Sequence, residues 1–155
     1  MTEDPLYFLP FFYSLTPGQY HLLRPIFTPC EFAAGKVIFE QGEPAERLYI
    51  VVNGEVVVNF KPDDGPVIIV ARVLAGEVVG WSAALCSRCY TSSAITKVHT
   101  QLLQVRGYDL RRFCRQHPDI ARIVQDCLAT VIVQRARKTH AQVVALLELV
   151  LNDPN

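Results

Sequence analysis

Between Gly76 and Ala94 the chain reads GEVVGWSAALCSRCYTSSA, and this stretch gathers most of the residues that could do chemistry. Gly80, Ser82, Ala83, Ala84, Thr91, Ser92, Ser93 and Ala94 are small, which suits a backbone that approaches a ligand closely. One use of such a stretch is to offer amide N–H groups to an anion at the first turn of a short helix. Thr91 and Ser92 add hydroxyls that bind a phosphate without charge, at lower affinity than cations give. Arg88 is the cation within the stretch.

Cys86-Ser87-Arg88-Cys89 has C-x-x-C spacing, which can form one edge of a metal site or exchange thiols, with Arg88 favouring the thiolates. A tetrahedral site needs two more ligands. Cys30, Cys114, Cys127 and the four histidines supply no matching pair, so the five cysteines read as free thiols and no metal is expected. His99, His117 and His140 stand one per region and read as surface or packing residues rather than haem ligands. No catalytic arrangement appears. Ser82 follows a tryptophan instead of sitting in a G-x-S-x-G elbow, and Glu40 and Glu43 lie in a turn that reads as structural, so the chain is not expected to be an enzyme.

Acids and bases balance at 15 each in 155 residues, so the whole molecule has no strong field toward nucleic acid or membrane. Eight bases against three acids between Arg106 and Lys138 read as a solvated helix face. Half the residues are apolar, enough for one packed domain. With neither a signal-peptide pattern nor an apolar run long enough to span a bilayer, a cytoplasmic location is expected.

The elements that must hold the central stretch follow from periodicity. Residues 1–15 (PLYFLPFFYSL at their heart) look like a packing strap rather than a regular element. Thr16-Pro17-Gly18-Gln19 has the residues of a capping box with proline in the first turn, and Pro25 and Pro29 keep that helix short. Val37–Phe39, Leu48–Val52, Glu55–Phe60 and Val67–Val73 are β-rich runs, paced by Gly42, Gly54, Gly65 and Gly76 at the spacing of an antiparallel sandwich or barrel. Asn53-Gly54 predicts a tight hairpin, and Asp64-Gly65-Pro66 a longer connection. Ala94–Val105 alternates and returns to the sheet. Asp109 is expected to cap a short helix through Cys114, and Pro118 to open a long one reaching Leu151. Leu128, Ile132, Ala136, Thr139, Val143, Leu146 and Val150 step by threes and fours, an apolar stripe that predicts a homodimer through residues 118–151, or a helix folded back on the roll.

This order of elements resembles the cyclic-nucleotide-binding domain, the effector domain of catabolite activator protein that recurs in protein kinase A regulatory subunits and gated channels. The residues that carry the likeness are Phe32-Ala33-Ala34-Gly35-Lys36-Val37-Ile38-Phe39-Glu40-Gln41-Gly42-Glu43, then Leu48-Tyr49-Ile50-Val51 with Gly54, then Gly76-Glu77-Val78-Val79-Gly80. Bacterial members of the catabolite activator and fumarate–nitrate reductase regulator superfamily are the nearest match. The resemblance implies a ligand-binding cassette at 76–94 in which a Gly-Glu pair meets a ribose hydroxyl and a later arginine pairs with the cyclic phosphate. Gly80 matches, but Trp81 stands at the glutamate and Tyr90 at the arginine. Trp81 would then stack on a purine or pack as a cap, and Tyr90 would offer its hydroxyl to phosphate or serve as a spacer. Arg88, two residues before Tyr90, is the substitute anchor. Thr139 and His140 lie where the family's long helix reaches over its ligand.

The expected fold is mainly β, an antiparallel jelly-roll-like β-roll with a long C-terminal helix. It divides into residues 1–31 (strap and short helix), 32–107 (roll) and 108–155 (helices). The expected function is a sensor that binds a small anionic ligand through Gly80, Trp81, Ser82, Ala83, Arg88, Tyr90, Thr91 and Ser92, with Thr139 and His140 as lid. Cyclic AMP and cyclic GMP are candidate ligands, and no resident cofactor is expected. The alternative is a roll that has lost its ligand and acts as an interaction or dimerisation module. No helix-turn-helix is read in this chain, so no nucleic-acid or membrane contact is expected through it.

Overall fold

Two short turns open the chain, a 3-10 turn at Pro5–Phe8 and helix α1 at Pro10–Tyr13, each with proline in its first turn. The strap is therefore regular at both prolines, because each ring presets a helical φ. The structure, a computed structural model, describes residues 4–85 and 88–151, without the side chains of Leu85, Thr139 and Leu146. Helix α2 (Pro17–Leu23) starts on a complete capping box. The Gln19 amide donates to the Thr16 hydroxyl, and the Thr16 amide donates to the Gln19 side chain.

The described residues then form eight strands: β1 (Thr28–Phe32), β2 (Val37–Phe39), β3 (Arg47–Asn53), β4 (Glu55–Phe60), β5 (Ile68–Leu74), β6 (Val78–Val79), β7 (Ser93–Thr96) and β8 (Thr100–Arg106). They make two antiparallel sheets ordered β1-β8-β3-β6 and β2-β7-β4-β5. Asp64-Gly65-Pro66 does join a paired hairpin, β4–β5, running from Glu55↔Leu74 to Phe60↔Ile68. Asn53-Gly54 does not. β3 pairs with β8 and β6, whereas β4 pairs with β5 and β7, so the chain changes sheets there. Gly54 takes φ +121°, and a Cβ on it would lie 2.5 Å from Thr100 Oγ1 and 2.8 Å from Thr100 Cα. The glycine serves a close crossing over Thr100 rather than a hairpin turn. The alternating run from Ala94 likewise splits in two, with β7 and β8 in different sheets.

β3 organises the interior. Its period of two sends Leu48 and Ile50 into one apolar cluster, with Phe11, Phe12, Phe27 and Leu128, and sends Tyr49 and Val51 into another, with Phe39, Val58 and Tyr90. Adjacent residues of β6 and β8 divide the same way, Val78 against Val79 and Leu103 against Leu102. One core thus lies between the helices and the first sheet, the other between the two sheets.

Helix α3 spans Gly107–Gln116, two residues longer at each end than expected. Asp109 sits inside its first turn instead of capping it, because the chain enters at Arg106–Gly107 and the Gly107 amide is satisfied by the Glu46 carbonyl. Helix α4 runs unbroken over Pro118–Leu151, 34 residues and so about 50 Å. Ile120, Val124 and Leu128 are buried against the roll. Toward its end Val143, Leu147, Leu149, Val150 and Leu151 are exposed.

Candidate functional site

The cassette begins at Gly80, whose φ of +80° only glycine adopts cheaply. A Cβ here would lie 2.9 Å from the Arg47 carbonyl oxygen and 3.2 Å from the Phe39 ring. Gly80 is thus demanded by its own surroundings, whether or not a ligand is near. A 3-10 turn, Trp81–Leu85, follows it. Ser82 and Ala83 are buried within that turn, and the Ala83 carbonyl accepts from Arg111 at 2.5 Å.

Tyr90 is held on every side. Its ring stacks on Phe39 with centroids 3.8 Å apart, and its hydroxyl accepts from the Arg47 amide at 3.0 Å while donating to the Arg47 carbonyl at 2.5 Å. Its own amide donates to Glu43, and its carbonyl accepts from Gly42. The hydroxyl is therefore committed to the backbone of β3 rather than offered to a ligand. Burial pushes the Tyr90 phenol above its ordinary value, and burial together with neighbouring Tyr90 pushes Tyr49 up to about 12. A raised tyrosine pKa means the fold favours the neutral phenol. That stability is complete below the unfolded value of 10.0 and is lost as pH climbs through about 12. Alkaline titration is expected to show tyrosinate absorbance from these rings appearing late, in step with loss of the far-ultraviolet β signal. Ionisation of all six tyrosines near pH 10 with the fold intact would contradict this.

Beside this stack lies a cavity of about 500 Å³. The cassette contributes Gly80, Trp81, Ser82, Tyr90, Thr91 and Ser92; β2, β4, β5 and β6 contribute Phe39, Val58, Phe60, Val70 and Val79; α4 contributes Ile132, Arg135 and Ala136. Six of the eight cassette candidates thus meet at one place. Ala83 is buried and does not line the cavity, and Arg88 is exposed, with only its carbonyl engaged, by the Ala45 amide. His140 is exposed, and the Thr139 side chain lies outside the described residues. The helix reaches the cavity one turn earlier, at Ile132–Ala136.

Arg135 is the residue that sequence reasoning missed. Its Nη2 donates to the Val78 carbonyl at 2.8 Å, and it lines both this cavity and a neighbouring one of about 600 Å³ with Arg72, Glu77 and Lys138. Burial lowers its pKa, partly offset by the Glu77 carboxylate. The available signal was a lone arginine seven residues after Leu128, on the side of the helix that carries the apolar stripe.

Of the cysteine pair, Cys86 lies outside the described residues, and Cys89 is exposed, its backbone bridging Pro44. Burial raises the pKa of the Cys30, Cys114 and Cys127 thiols, keeping them protonated. Among the described residues no group of three or more His, Cys, Asp or Glu could hold a metal, and no helix is long and apolar enough to cross a membrane. His99 pairs with Glu31 at 3.2 Å on the surface, and His117 stacks on Phe113.

Residues 29–117 match the family model of the cyclic nucleotide-binding domain. The chain is 25% identical over 136 residues to a CRP-like cAMP-activated global transcriptional regulator of Mycobacterium tuberculosis, covering 88% of this chain and 59% of that protein. The catabolite activator protein of Thermus thermophilus matches with a TM-score of 0.73 at 25% identity, over 93% of this chain and 72% of that one. A cyclic nucleotide-binding domain of Methylobacillus flagellatus matches with a TM-score of 0.79 at 16% identity, over 84% of this chain and 74% of that one, a likeness of fold. The chain spans less than two thirds of the Mycobacterium regulator's length.

Proposed function

Because the chain belongs to the cyclic nucleotide-binding domain family, we propose that it is a sensor module whose cavity takes a small anionic ligand and reports it through α4. One observation carries this reading: the cavity of about 500 Å³ is bounded by the cassette and by Ile132, Arg135 and Ala136 of α4 together. A ligand bridging both surfaces would be bound most tightly in one placement of the helix, so occupancy and helix position are linked. Trp81 and Tyr90 line this space without filling it, which favours ligand binding over a closed, purely structural roll.

The apolar end of α4 supports the second half of the proposal. From Ile132 the stripe steps by 4, 3, 4, 3 and 4 to Val150, the 3.5-residue mean of a two-helix seam. Val143 and Val150 are exposed in the single chain. A second copy is the partner that would cover them, making α4 both reporter and dimer seam.

Trp81 is the sole tryptophan and borders the cavity, so its emission reports occupancy directly. Cyclic AMP, cyclic GMP and a set of organic carboxylates would be titrated under fluorescence and thermal melting. At 100 times its Kd, a true ligand is expected to add about 2.7 kcal/mol of stability and to move the Trp81 signal. If no small anion does both at millimolar concentration, the sensor reading fails and the interaction-module alternative takes its place.

A further inference from the structure

The polarity of the cavity narrows the ligand further. Phe39, Val58, Phe60, Val70 and Ile132 make much of its lining, and Arg135 is the only charged side chain among the described lining residues. No carboxylate borders the space, and Trp81 occupies the position where the family's glutamate would accept from a ribose hydroxyl. A sugar placed here would bury hydroxyls against valine and phenylalanine without acceptors, which disfavours polyhydroxylated ligands. The Tyr90 hydroxyl cannot compensate, being bonded to both polar groups of the Arg47 backbone.

What the walls do offer is aromatic surface and one guanidinium. Phe39, Phe60, Trp81 and Tyr90 all border the cavity, and Phe39 and Tyr90 already stack at an interplanar angle of 17°. Flat rings bind such walls through offset or edge contacts. The planar fork of arginine matches a carboxylate in two parallel hydrogen bonds. The Val78 carbonyl holds Arg135 from one Nη, and the Glu77 carboxylate borders the neighbouring cavity, not this one.

Resting on the sensor reading above, we propose that the cognate ligand class is an aromatic monocarboxylate: a flat ring system among Phe39, Phe60, Trp81 and Tyr90, with its single carboxylate on Arg135. Ser82, Thr91 and Ser92 supply hydroxyls that can take a further ring substituent, which gives selectivity within the class.

The test compares three probes on the full chain by calorimetry and thermal melting: 2-naphthoate, its uncharged isostere 2-naphthamide, and cyclic AMP. Naphthoate is expected to bind at least about tenfold more tightly than naphthamide, since a charge-assisted pair replaces a neutral one, and more tightly than cyclic AMP. Arg135→Gln is expected to abolish the preference for naphthoate over naphthamide while leaving naphthamide binding in place. The comparison of naphthoate with naphthamide on the unaltered chain needs no variant, so a poorly folded Arg135→Gln protein does not shield the proposal. Cyclic AMP binding more tightly than naphthoate would overturn the ligand class and leave the sensor reading standing. Equal binding of naphthoate and naphthamide would overturn the role of Arg135. If none of the three probes nor any other small anion binds, the sensor reading itself has failed, and this inference with it.

Discussion

Gly107→Ala is expected to lower stability by about 3 kcal/mol, because the new methyl has nowhere to go. A Cβ at Gly107 would lie 2.1 Å from the Ala83 carbonyl oxygen and 2.8 Å from its carbon. Both are backbone atoms, so no side chain can swing aside. The same oxygen accepts from Arg111, whose Nη1 would itself stand 2.8 Å from the new carbon. Relief requires the Trp81–Leu85 turn to move off α3, which also moves Trp81 and Ser82 at the cavity. Thermal denaturation measures the loss. Gly18→Ala is the matched control, since nothing lies within 4 Å of a Cβ there and the residue is helical; it is expected to be neutral or stabilising by up to about 1 kcal/mol. If the two variants melt alike, the close packing of the cassette on α3 is not a constraint.

Phe12→Ala is expected to cost about 3–5 kcal/mol. Phe12 is fully buried and sits at the centre of an edge-to-face group, with centroids 5.4 Å from Phe11, 5.2 Å from Tyr20 and 5.4 Å from Phe27. Its cluster includes Ile120, Val124 and Leu128, the residues that root α4 on the roll. The cavity left behind would therefore loosen the helix that lines the site about three turns further on. Urea unfolding should show the lower midpoint, and amides over residues 120–128 should exchange faster with solvent. A loss below about 1 kcal/mol would mean that the N-terminal strap is a covering and not part of the core.

What the sequence made legible was local. The capping box at Thr16, the four β-rich runs from Val37 to Val73 and the uninterrupted helix from Pro118 depend on neighbours a few residues away, and each is present. What it hid was set by partners far along the chain. Asn53-Gly54 has hairpin chemistry, yet the closeness of Thr100 decides its geometry. Gly107 looks like an ordinary helix-edge glycine until Ala83 is seen against it. At the cassette, the glycine and the small residues announced a cavity, but Tyr90 turned its hydroxyl to Arg47 and Arg88 faced solvent. The cation of the site came from α4, some 45 residues beyond, where no motif marks it.

The two-faced burial of β3 has a consequence for how this chain can vary in length. Odd and even positions of that strand belong to different interiors, so inserting or deleting one residue there would exchange Leu48 and Ile50 with Tyr49 and Val51. Both interiors would then receive the wrong shapes at once, and no local adjustment repairs two errors of opposite kind. The connection over residues 61–67 carries no such parity. Length changes in this protein are therefore channelled to its flap-like hairpin, leaving the strand behind the cavity fixed in count as well as in composition.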